Sequence, residues 1–219
     1  MKTIALVAQK GGTGKSTIAM HLAVCASRDG KSVALIDLDP QATVTGWGET
    51  RRERLREARE QGTASEDDPL EDAVVAARAQ ELPGLLASAK KQGAHWVIVD
   101  TAGRMDVTSA NAVELADVVL VPCRASFPDL KASIGTAEQI RQARATKAFF
   151  VLNAVPAQGL RQKEAREALK DLLPVSPVEL HHYVAYGDAL NDGRSVEELD
   201  PSGKAATEIR ALYAWLKKV

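Results

Sequence analysis

The sequence predicts an α/β protein with a doubly wound, mostly parallel sheet and helices on both faces. Five apolar runs of strand length recur, at 3–8, 32–37, 95–100, 117–122 and 148–154, and most of them are continuous rather than alternating. Continuous runs are typical of parallel strands that are covered on both faces. Segments with a helical spacing of apolar residues lie between the runs, as connections between parallel strands require.

Length and composition favour a single domain over residues 1–219. The chain has 219 residues, of which 45% are hydrophobic, and a formal net charge of −1. This balance argues against positive charge over the whole surface, so any nucleic-acid contact would come from a local patch. Cys25 and Cys123 lie in apolar surroundings and are expected to be buried thiols. No apolar run approaches the roughly 18 residues of a membrane span, so we expect a cytoplasmic protein that does not bind membranes.

The first strand leads into a glycine-rich loop and then into a helix over 15–29, which Gly30 is expected to end. Glycines let backbone N–H groups converge on phosphate oxygens beside the positive end of the helix. We therefore predict a nucleotide-binding loop in which Lys15 binds the β- and γ-phosphates, Ser16 binds Mg²⁺ and Thr17 bonds the α-phosphate. The remaining predicted contacts are backbone groups of Gly11, Gly12, Thr13 and Gly14.

Acidic residues end the second and third apolar runs. Asp37 and Asp39 are alternating residues, so both carboxylates can lie on the same face. One interpretation is a helix N-cap and a turn aspartate; the other is an outer-shell ligand of Mg²⁺ and a residue that positions the attacking water. Asp100 fits the pattern of a Walker B carboxylate that holds a magnesium-bound water. Hydrolysis of Mg·ATP is the chemistry that this set predicts.

The rest of the chain predicts further helices and one irregular region. Segment 49–68 is charge-dense, and we expect a solvated helix with Glu–Arg pairs followed by a surface loop; a partner-facing excursion is the alternative. The C-terminal segment 206–219 is expected to be a helix docked on the sheet rather than a membrane-binding tail. Other helices are predicted over 84–92, 105–116, 129–145 and 160–173.

The motifs around the loop resemble those of ParA/MinD-type ATPases. The run KGGTGKST, residues 10–17, resembles their deviant Walker A motif, in which a second lysine precedes the glycines. DLDPQ at 37–41 resembles the DxDPQ element of the ParA branch, and VIVDTAG resembles its Walker B strand. Residues 178–198 resemble the segment that precedes the last helices of the family. The resemblance covers essentially the whole chain and is to the small ParA type, which has no N-terminal helix-turn-helix domain.

The resemblance implies a homodimer of ATP-bound subunits in which Lys10 crosses to the partner's nucleotide. A cation delivered across an interface offsets charge that develops during phosphoryl transfer, whereas a second cation in the same chain would repel Lys15. The resemblance also implies that Gly11 lacks a side chain because two loops approach closely, and that Asp39 positions the hydrolytic water. It further implies that Asn153 hydrogen-bonds adenine, although a turn residue is the alternative there.

Three other classes of site agree less well with the sequence. DTAGR at 100–104 lacks the double proline common in ParA proteins and is similar to signal-recognition-particle GTPases, but Thr146-Lys147 is not followed by the aspartate that reads guanine. Adenine is therefore preferred, and Arg104 is left without a role. An iron–sulfur cluster lacks ligands, because only Cys123 lies at a strand end. His181 and His182 are adjacent, so on a strand they would face oppositely, and we expect no metal site there.

Basic residues are frequent in the C-terminal third, where segment 141–170 is locally basic and includes Arg144. A solvated helix face is one interpretation. The resemblance implies the other, which is non-specific binding of double-stranded DNA through phosphates. The candidate contacts are Arg194, Lys204 and Arg210.

The resemblance thus implies a weak ATP hydrolase that positions or segregates a plasmid, a chromosome or a protein organelle. A ParB-like or other cargo-bound activator would stimulate hydrolysis together with DNA, and the ATP-bound protein would lie on the nucleoid. The competing class is a metabolic or metallochaperone P-loop enzyme of the same fold that does not bind DNA.

Overall fold

A parallel sheet forms the centre of the protein in the computed structural model, which describes residues 1–63, 68–104, 106–143, 145, 147–158 and 160–219. Its strands are β1 (Lys2–Leu6), β2 (Val33–Asp37), β3 (Val74–Ala76), β4 (Trp96–Asp100), β5 (Val118–Cys123) and β6 (Ala148–Leu152). Among the described residues, the six strands are ordered β3-β2-β4-β1-β5-β6, and each neighbouring pair is parallel. This order confirms the predicted doubly wound fold, because the chain departs from β1 in both directions.

Helices connect the strands and cover the sheet. They are α1 (Lys15–Arg28), α2 (Thr43–Glu60), α3 (Leu82–Lys91), α4 (Val107–Leu115), α5 (Phe127–Gln142), α6 (Arg161–Leu169), α7 (Ala185–Asn191), α8 (Val196–Leu199) and α9 (Lys204–Leu216). The first of them ends as the sequence predicts, because Gly30 follows it with a φ of 69°. A left-handed residue of this kind terminates a helix at little cost only when it has no side chain.

Two apolar clusters, one on each face of the sheet, form the core. Ile4 and Leu6 of β1 belong to one cluster, and Ala5 and Val7 belong to the other. All four are 0% exposed. Adjacent residues of a strand point to opposite faces, so a strand that is covered on both sides must be apolar at every position. This double coverage explains why the strands are continuous apolar runs in the sequence.

Helix α9 is docked on the protein as predicted. Ile209, Leu212 and Leu216 are each 0% exposed and belong to the same core cluster as α1. In the described part of the chain, we find no helix that combines the length and the apolar character needed to cross a membrane. Cys25 and Cys123 are buried free thiols, also as predicted.

The main departure from the sequence prediction concerns the charge-dense segment 49–68. Arg51 of α2 is buried, and its Nη2 pairs with Asp68 Oδ2 at 2.6 Å and with Glu198 Oε1 at 2.7 Å. The prediction of a solvated helix is therefore wrong for this face of α2. Acids from two distant segments neutralise the arginine, so it can be buried without leaving an unpaired charge. Residues 64–67 lie outside the described residues.

A second departure is β3, which the apolar pattern does not predict. This strand has only three residues and pairs with β2 at the edge of the sheet, where Val75 is 36% exposed. So short and half-solvated an edge strand leaves no apolar run in the sequence. Three residues mentioned in the sequence predictions also lie outside the described residues: Met105, Arg144 and Thr146.

Candidate functional site

The loop between β1 and α1 requires glycine at two positions. Gly12 has a φ of 73° and Gly14 a φ of 100°, values that residues with a side chain rarely adopt. A Cβ at Gly14 would lie 2.1 Å from Nδ2 of Asn153, which donates a hydrogen bond to the carbonyl oxygen of Thr13 at 2.6 Å. The loop leads directly into α1, whose unpaired N-terminal N–H groups attract anions. Its backbone is therefore suited to a phosphate group.

A cavity of about 720 Å³ opens at this loop, at the carboxyl ends of the strands. This volume lies within the range of roughly 300–1,000 Å³ that is typical of small-molecule sites. The phosphate loop forms one part of the wall, and the ends of β2, β4, β5 and β6 contribute others. Residues from these ends include Asp39, Gly103, Arg104, Arg124 and Asn153, and the far wall contains His181, His182, Tyr183, Tyr186 and Gly187.

Lys15 is the first residue of α1 and lies in the cavity wall. It is only 5% exposed, and its ammonium makes no hydrogen bond with another described residue. Burial lowers the pKa of Lys15, while the carboxylates of Asp100 and Asp39 act in the opposite direction. A buried ammonium of this kind is stabilised by an anion that enters the cavity.

Ser16 and Asp100 form a hydrogen-bonded pair next to this lysine. The Ser16 hydroxyl donates to Asp100 Oδ2 at 2.5 Å, and Asp100 is 0% exposed. Burial raises the pKa of Asp100 to about 7, although the bond from Ser16 and the charge of Lys15 lower it. The second oxygen, Oδ1, is buried and has no hydrogen-bond partner. A buried acceptor without a partner indicates a place for a water molecule or a cation.

Asp37 lies beside Asp100 but is also used within the fold. The two residues are register partners on β2 and β4. Asp37 Oδ1 accepts from the N–H of Asp39 at 3.0 Å, and Oδ2 accepts from the N–H and the hydroxyl of Thr45, each at 2.9 Å. Asp37 therefore stabilises the first turn of α2, as one of the two sequence interpretations expects. Its role behind a metal ion stays a prediction.

The residues near Ser16 fit a magnesium ion. In the part of the chain that the structure describes, no group of three or more His, Cys, Asp or Glu side chains forms a metal site by itself. Mg²⁺ needs few protein ligands, because it retains water and binds phosphate oxygens. The Ser16 hydroxyl donates its hydrogen bond to Asp100, so its oxygen lone pairs are available to a cation. Asp100 Oδ1 has no partner and could accept a hydrogen bond from a metal-bound water. Ser16 and Asp100 are hydrogen-bonded to each other, and Asp37 is the register partner of Asp100; their roles in binding a metal stay predictions.

Asp39 and Thr17 also lie in the cavity wall, as the sequence predicts. Asp39 Oδ1 accepts a hydrogen bond from the N–H of Gln41 at 3.0 Å, which fixes the carboxylate at the mouth of the cavity on the β2 side. The side chain is partly exposed. Its other oxygen is therefore accessible to a water molecule from solvent. Positioning of the attacking water by Asp39 stays a prediction.

Lys10 does not point freely into solvent in the single chain. Its ammonium lies 2.8 Å from Asp129 Oδ2, and the Ser126 hydroxyl donates to the same oxygen. Asp129 is 4% exposed, whereas Lys10 is 42% exposed. Sequence reasoning missed this pair because the two residues are 119 positions apart and no motif connects them.

Gly11 lies where the loop after β4 packs against the phosphate loop. A Cβ on Gly103 would lie 2.8 Å from Cα of Gly11. A Cβ on Gly11 itself would meet no atom of the described chain within 4 Å. The single chain therefore gives no steric reason for glycine at this position. Close approach of a partner's loop stays a prediction for Gly11, as does the adenine contact for Asn153.

Two arginines that the sequence motifs leave unassigned also line the cavity. Arg104 Nε lies 3.0 Å from Asp106 Oδ2, and the Asp106 carboxylate also caps α4. Arg124 follows β5 and is exposed. The position of Arg124 after an apolar run is the signal that could have identified it, because ligands bind at the carboxyl ends of parallel strands.

The basic residues predicted to contact DNA lie away from this cavity. Arg210 Nη1 pairs with Glu197 Oε1 at 2.8 Å, and Arg194 Nη2 pairs with Asp192 Oδ2 at 2.5 Å. Lys204, the first residue of α9, is exposed and makes no side-chain bond with a described residue. Both arginines are therefore paired with acids of the same chain. Lys204 is the candidate without an ion pair among the described residues, so its charge is available to an external anion.

The opposite end of the cavity contains a histidine but no metal cluster among the described residues. His181 Nδ1 lies 2.7 Å from Glu208 Oε1, and the His181 N–H donates to Glu208 Oε2 at 2.8 Å. Glu208 also accepts a hydrogen bond from the Tyr183 hydroxyl at 3.2 Å. These bonds give both carboxylate oxygens of Glu208 partners within the chain.

Comparisons with known proteins agree with this geometry. The family model described as "CobQ/CobB/MinD/ParA nucleotide binding domain" matches residues 4–196. The chain is 31% identical over 163 residues to the chromosome-partitioning ATPase Soj of Thermus thermophilus, in an alignment that covers 66% of this chain and 64% of that protein. The chain thus spans slightly less than two thirds of that relative.

Solved structures with the same fold cover nearly the whole chain. An ATP complex of a Cyanothece McdA variant has a TM-score of 0.75 and 21% identity, and covers 99% of this chain and 96% of its own. The cell division protein MinD of Aquifex aeolicus has a TM-score of 0.78 and 16% identity, and covers 100% of this chain and 98% of its own. At these identities the similarity concerns the fold alone.

Proposed function

Because this chain belongs to the CobQ/CobB/MinD/ParA family of nucleotide-binding domains, we propose that it is an ATPase that binds Mg·ATP, dimerises and hydrolyses the nucleotide. The observation that carries the proposal is Lys15, which is only 5% exposed, lines the cavity beside a phosphate-type loop and lies next to the Ser16–Asp100 pair. A lysine ammonium without an acceptor among the described residues and a buried acid oxygen without a donor together suit a nucleotide phosphate with its metal.

The proposed nucleotide-binding site is formed by residues of a single chain. The N–H groups of the loop and the Lys15 ammonium hold the phosphates, and the tight turn at Gly14 keeps the backbone close to them. Ser16 would bind Mg²⁺ directly, and Asp100 would bind it through water. Asp37 is the register partner of Asp100 and accepts a hydrogen bond from the first turn of α2. When bound, Mg²⁺ neutralises negative charge on the phosphate oxygens during transfer.

Hydrolysis needs two further residues, Asp39 in the cavity wall and Lys10 at the start of the phosphate loop. Asp39 accepts a hydrogen bond from the attacking water and orients it towards the terminal phosphate, while Gln41 N–H holds the carboxylate in place. Lys10 leaves Asp129 and reaches the nucleotide of a second copy, where its charge offsets the charge that develops in the transition state. Completion of each site by the partner makes hydrolysis depend on the dimer.

Substitution of Lys10 tests the ATPase and the dimer together. Lys10→Ala is expected to bind ATP like the wild type but to lose ATP-dependent dimerisation and most hydrolysis. Because this change leaves Asp129 buried without its cation, the double variant Lys10→Ala/Asp129→Asn is measured beside it. Lys90→Ala removes an exposed lysine on α3 and serves as the control. A Lys10→Ala protein that still dimerises with ATP, as followed by analytical ultracentrifugation, would refute the action of Lys10 in the partner's site.

We further propose that the ATP-bound dimer binds double-stranded DNA non-specifically and positions a plasmid, chromosome or protein organelle, with a cargo-bound activator of the ParB kind. Support comes from the name of a relative, a chromosome-partitioning ATPase, and from the free charge of Lys204. Contacts with phosphates alone predict an affinity that falls steeply with salt and does not depend on sequence.

A gel shift with random duplex DNA tests this second proposal. The wild type with a slowly hydrolysed ATP analogue is expected to shift the duplex at low salt, and Lys204→Ala is expected to weaken the shift. Arg210→Lys keeps the charge beside Glu197 and is the matched comparison. Absence of any shift, in a protein that does bind and hydrolyse ATP, would favour the metabolic or metallochaperone class.

A further inference from the structure

Arg124 is a cavity residue whose charge has no partner among the described residues. It directly follows β5 and lines the cavity together with the loop glycines and Asn153. Its side chain is exposed and makes no hydrogen bond or ion pair within the described part of the chain. An arginine that is always charged and lines a cavity suited to phosphate calls for an anion as its partner.

The backbone of Arg124 is held firmly beside the phosphate loop. The Asn153 N–H donates to the carbonyl oxygen of Cys123 at 2.8 Å, and the Ser126 N–H donates to the carbonyl oxygen of Arg124, also at 2.8 Å. The Asn153 side chain in turn bonds to Thr13 of the loop at 2.6 Å. The backbone of Arg124 is therefore fixed, and ligand binding has to order only the side-chain torsions.

Two basic residues near Arg124 already have acids. Lys10 pairs with Asp129 at 2.8 Å, and Arg104 pairs with Asp106 at 3.0 Å. Asp129 is close to Arg124 in sequence, but one of its oxygens is taken by Lys10 and Ser126. Of Lys10, Arg104 and Arg124, Arg124 is thus the one that forms no ion pair with a described residue.

The order of the strands indicates which part of a nucleotide faces Arg124. Asp37 and Asp100, the acids of the proposed metal site, end β2 and β4 on one side of β1. Arg124 follows β5 on the other side of β1. Phosphate oxygens of a bound nucleotide on the β5 side would lie across β1 from these acids, where Arg124 could supply positive charge. On the basis of the proposed nucleotide-binding function, we propose that Arg124 binds these oxygens in its own chain, as a two-pronged donor.

Calorimetric titration with Mg·ADP and with a slowly hydrolysed Mg·ATP analogue tests the proposal. Arg124→Ala is expected to weaken both nucleotides roughly tenfold, the lower end of what a charged hydrogen bond contributes, because the site is open to solvent. Arg124→Lys is expected to recover part of the loss, since it keeps the charge but not the paired donors. Arg56→Ala, an equal charge change at an exposed position of α2 outside the cavity, is the control.

The possible results separate this proposal from the function on which it rests. The melting temperature of ligand-free Arg124→Ala is expected to equal that of the wild type, because the side chain has no described contacts to lose. Unchanged nucleotide affinity in Arg124→Ala overturns the role of Arg124, as does a loss in Arg56→Ala equal to that in Arg124→Ala. Neither result affects the proposed function. A loss confined to the ATP analogue overturns the expected contact with phosphates that ADP and ATP share. A wild type that binds neither nucleotide overturns the proposed function and this inference with it.

Discussion

Acidification is expected to destabilise this protein through one buried histidine. His21 of α1 is 0% exposed, its Nε2 lies 3.3 Å from the carbonyl oxygen of Tyr186, and its Nδ1 accepts from the N–H of Val196 at 3.3 Å. The ring thus connects the phosphate-loop helix to α7, at the far wall of the cavity, and to α8. These bonds require the neutral ring with its hydrogen on Nε2. Burial lowers the pKa of His21 from 6.5 to about 4.

The size of the effect follows from this pKa difference. The unfolded chain takes up a proton on His21 as the pH falls below about 6.5, whereas the folded protein does so only near pH 4. Between these values the unfolded state holds one more proton, so the free energy of unfolding falls with the pH. A difference of about 2.5 units corresponds to about 3 kcal/mol, and most of it is lost by about pH 4.5.

Urea unfolding of the wild type and of His21→Gln at pH 7 and at pH 4.5 measures this contribution. Glutamine offers an N–H donor for the Tyr186 carbonyl but does not titrate. The wild type is expected to lose about 2–3 kcal/mol more than the variant on acidification. Other titrating groups, including Asp100, are present in both proteins and cancel in the comparison. An equal loss in the two proteins would refute the assignment to His21.

Three further substitutions separate folding, nucleotide binding and dimerisation. Asp100→Asn removes an acid whose folded pKa is raised to about 7, a shift that costs stability as the pH rises above the unfolded value near 4. Without ligand, this variant is expected to be up to about 4 kcal/mol more stable than the wild type at pH 8 and to lose stabilisation by Mg·ATP; urea titrations with and without nucleotide measure both. Gly14→Ala places a Cβ 2.1 Å from Asn153 at a φ of 100°, so thermal melts should show a loss of about 2 kcal/mol or more, and calorimetry no ATP binding. Gly11→Ala meets no described atom within 4 Å, and its monomer should melt like the wild type while size-exclusion chromatography shows no ATP-dependent dimer; a normal dimer would contradict close approach of the two loops.

The sheet and the cavity could be predicted from the sequence because their signals are local. A strand covered on both faces is largely a continuous apolar run, as at residues 4–7, and the phosphate loop requires glycine and lysine at fixed spacing. Asp100 could be placed beside Ser16 because parallel strands end at the same edge of the sheet. These predictions use no information about contacts between distant segments.

The remaining features depend on such contacts. Arg51 lies in a segment whose composition suggests full solvation, and its burial is explained by partners that include Asp68 and Glu198. Lys10 is recognisable as an extra lysine, but its pairing with Asp129 depends on how α5 packs beside the loop. Arg124 has no motif, and its interest comes from the lack of an ion pair with a described residue. Pairing, or the lack of it, depends on the packing of segments that are separate in sequence, so composition and spacing do not reveal it.

The ion pair between Lys10 and Asp129 has a consequence for the protein concentration at which dimers form. In the proposed symmetric dimer, where Lys10 acts in the partner's site, each chain would release its own lysine, so the cost of breaking the pair would enter twice. A half-exposed pair worth about 1 kcal/mol makes the released form roughly fivefold rarer in each chain, and the apparent dissociation constant of the dimer roughly 25-fold higher. The free-energy cost of breaking this one contact thus counts twice in the free energy of dimerisation. The abundance of the protein would then decide, as much as the nucleotide does, whether pairs form.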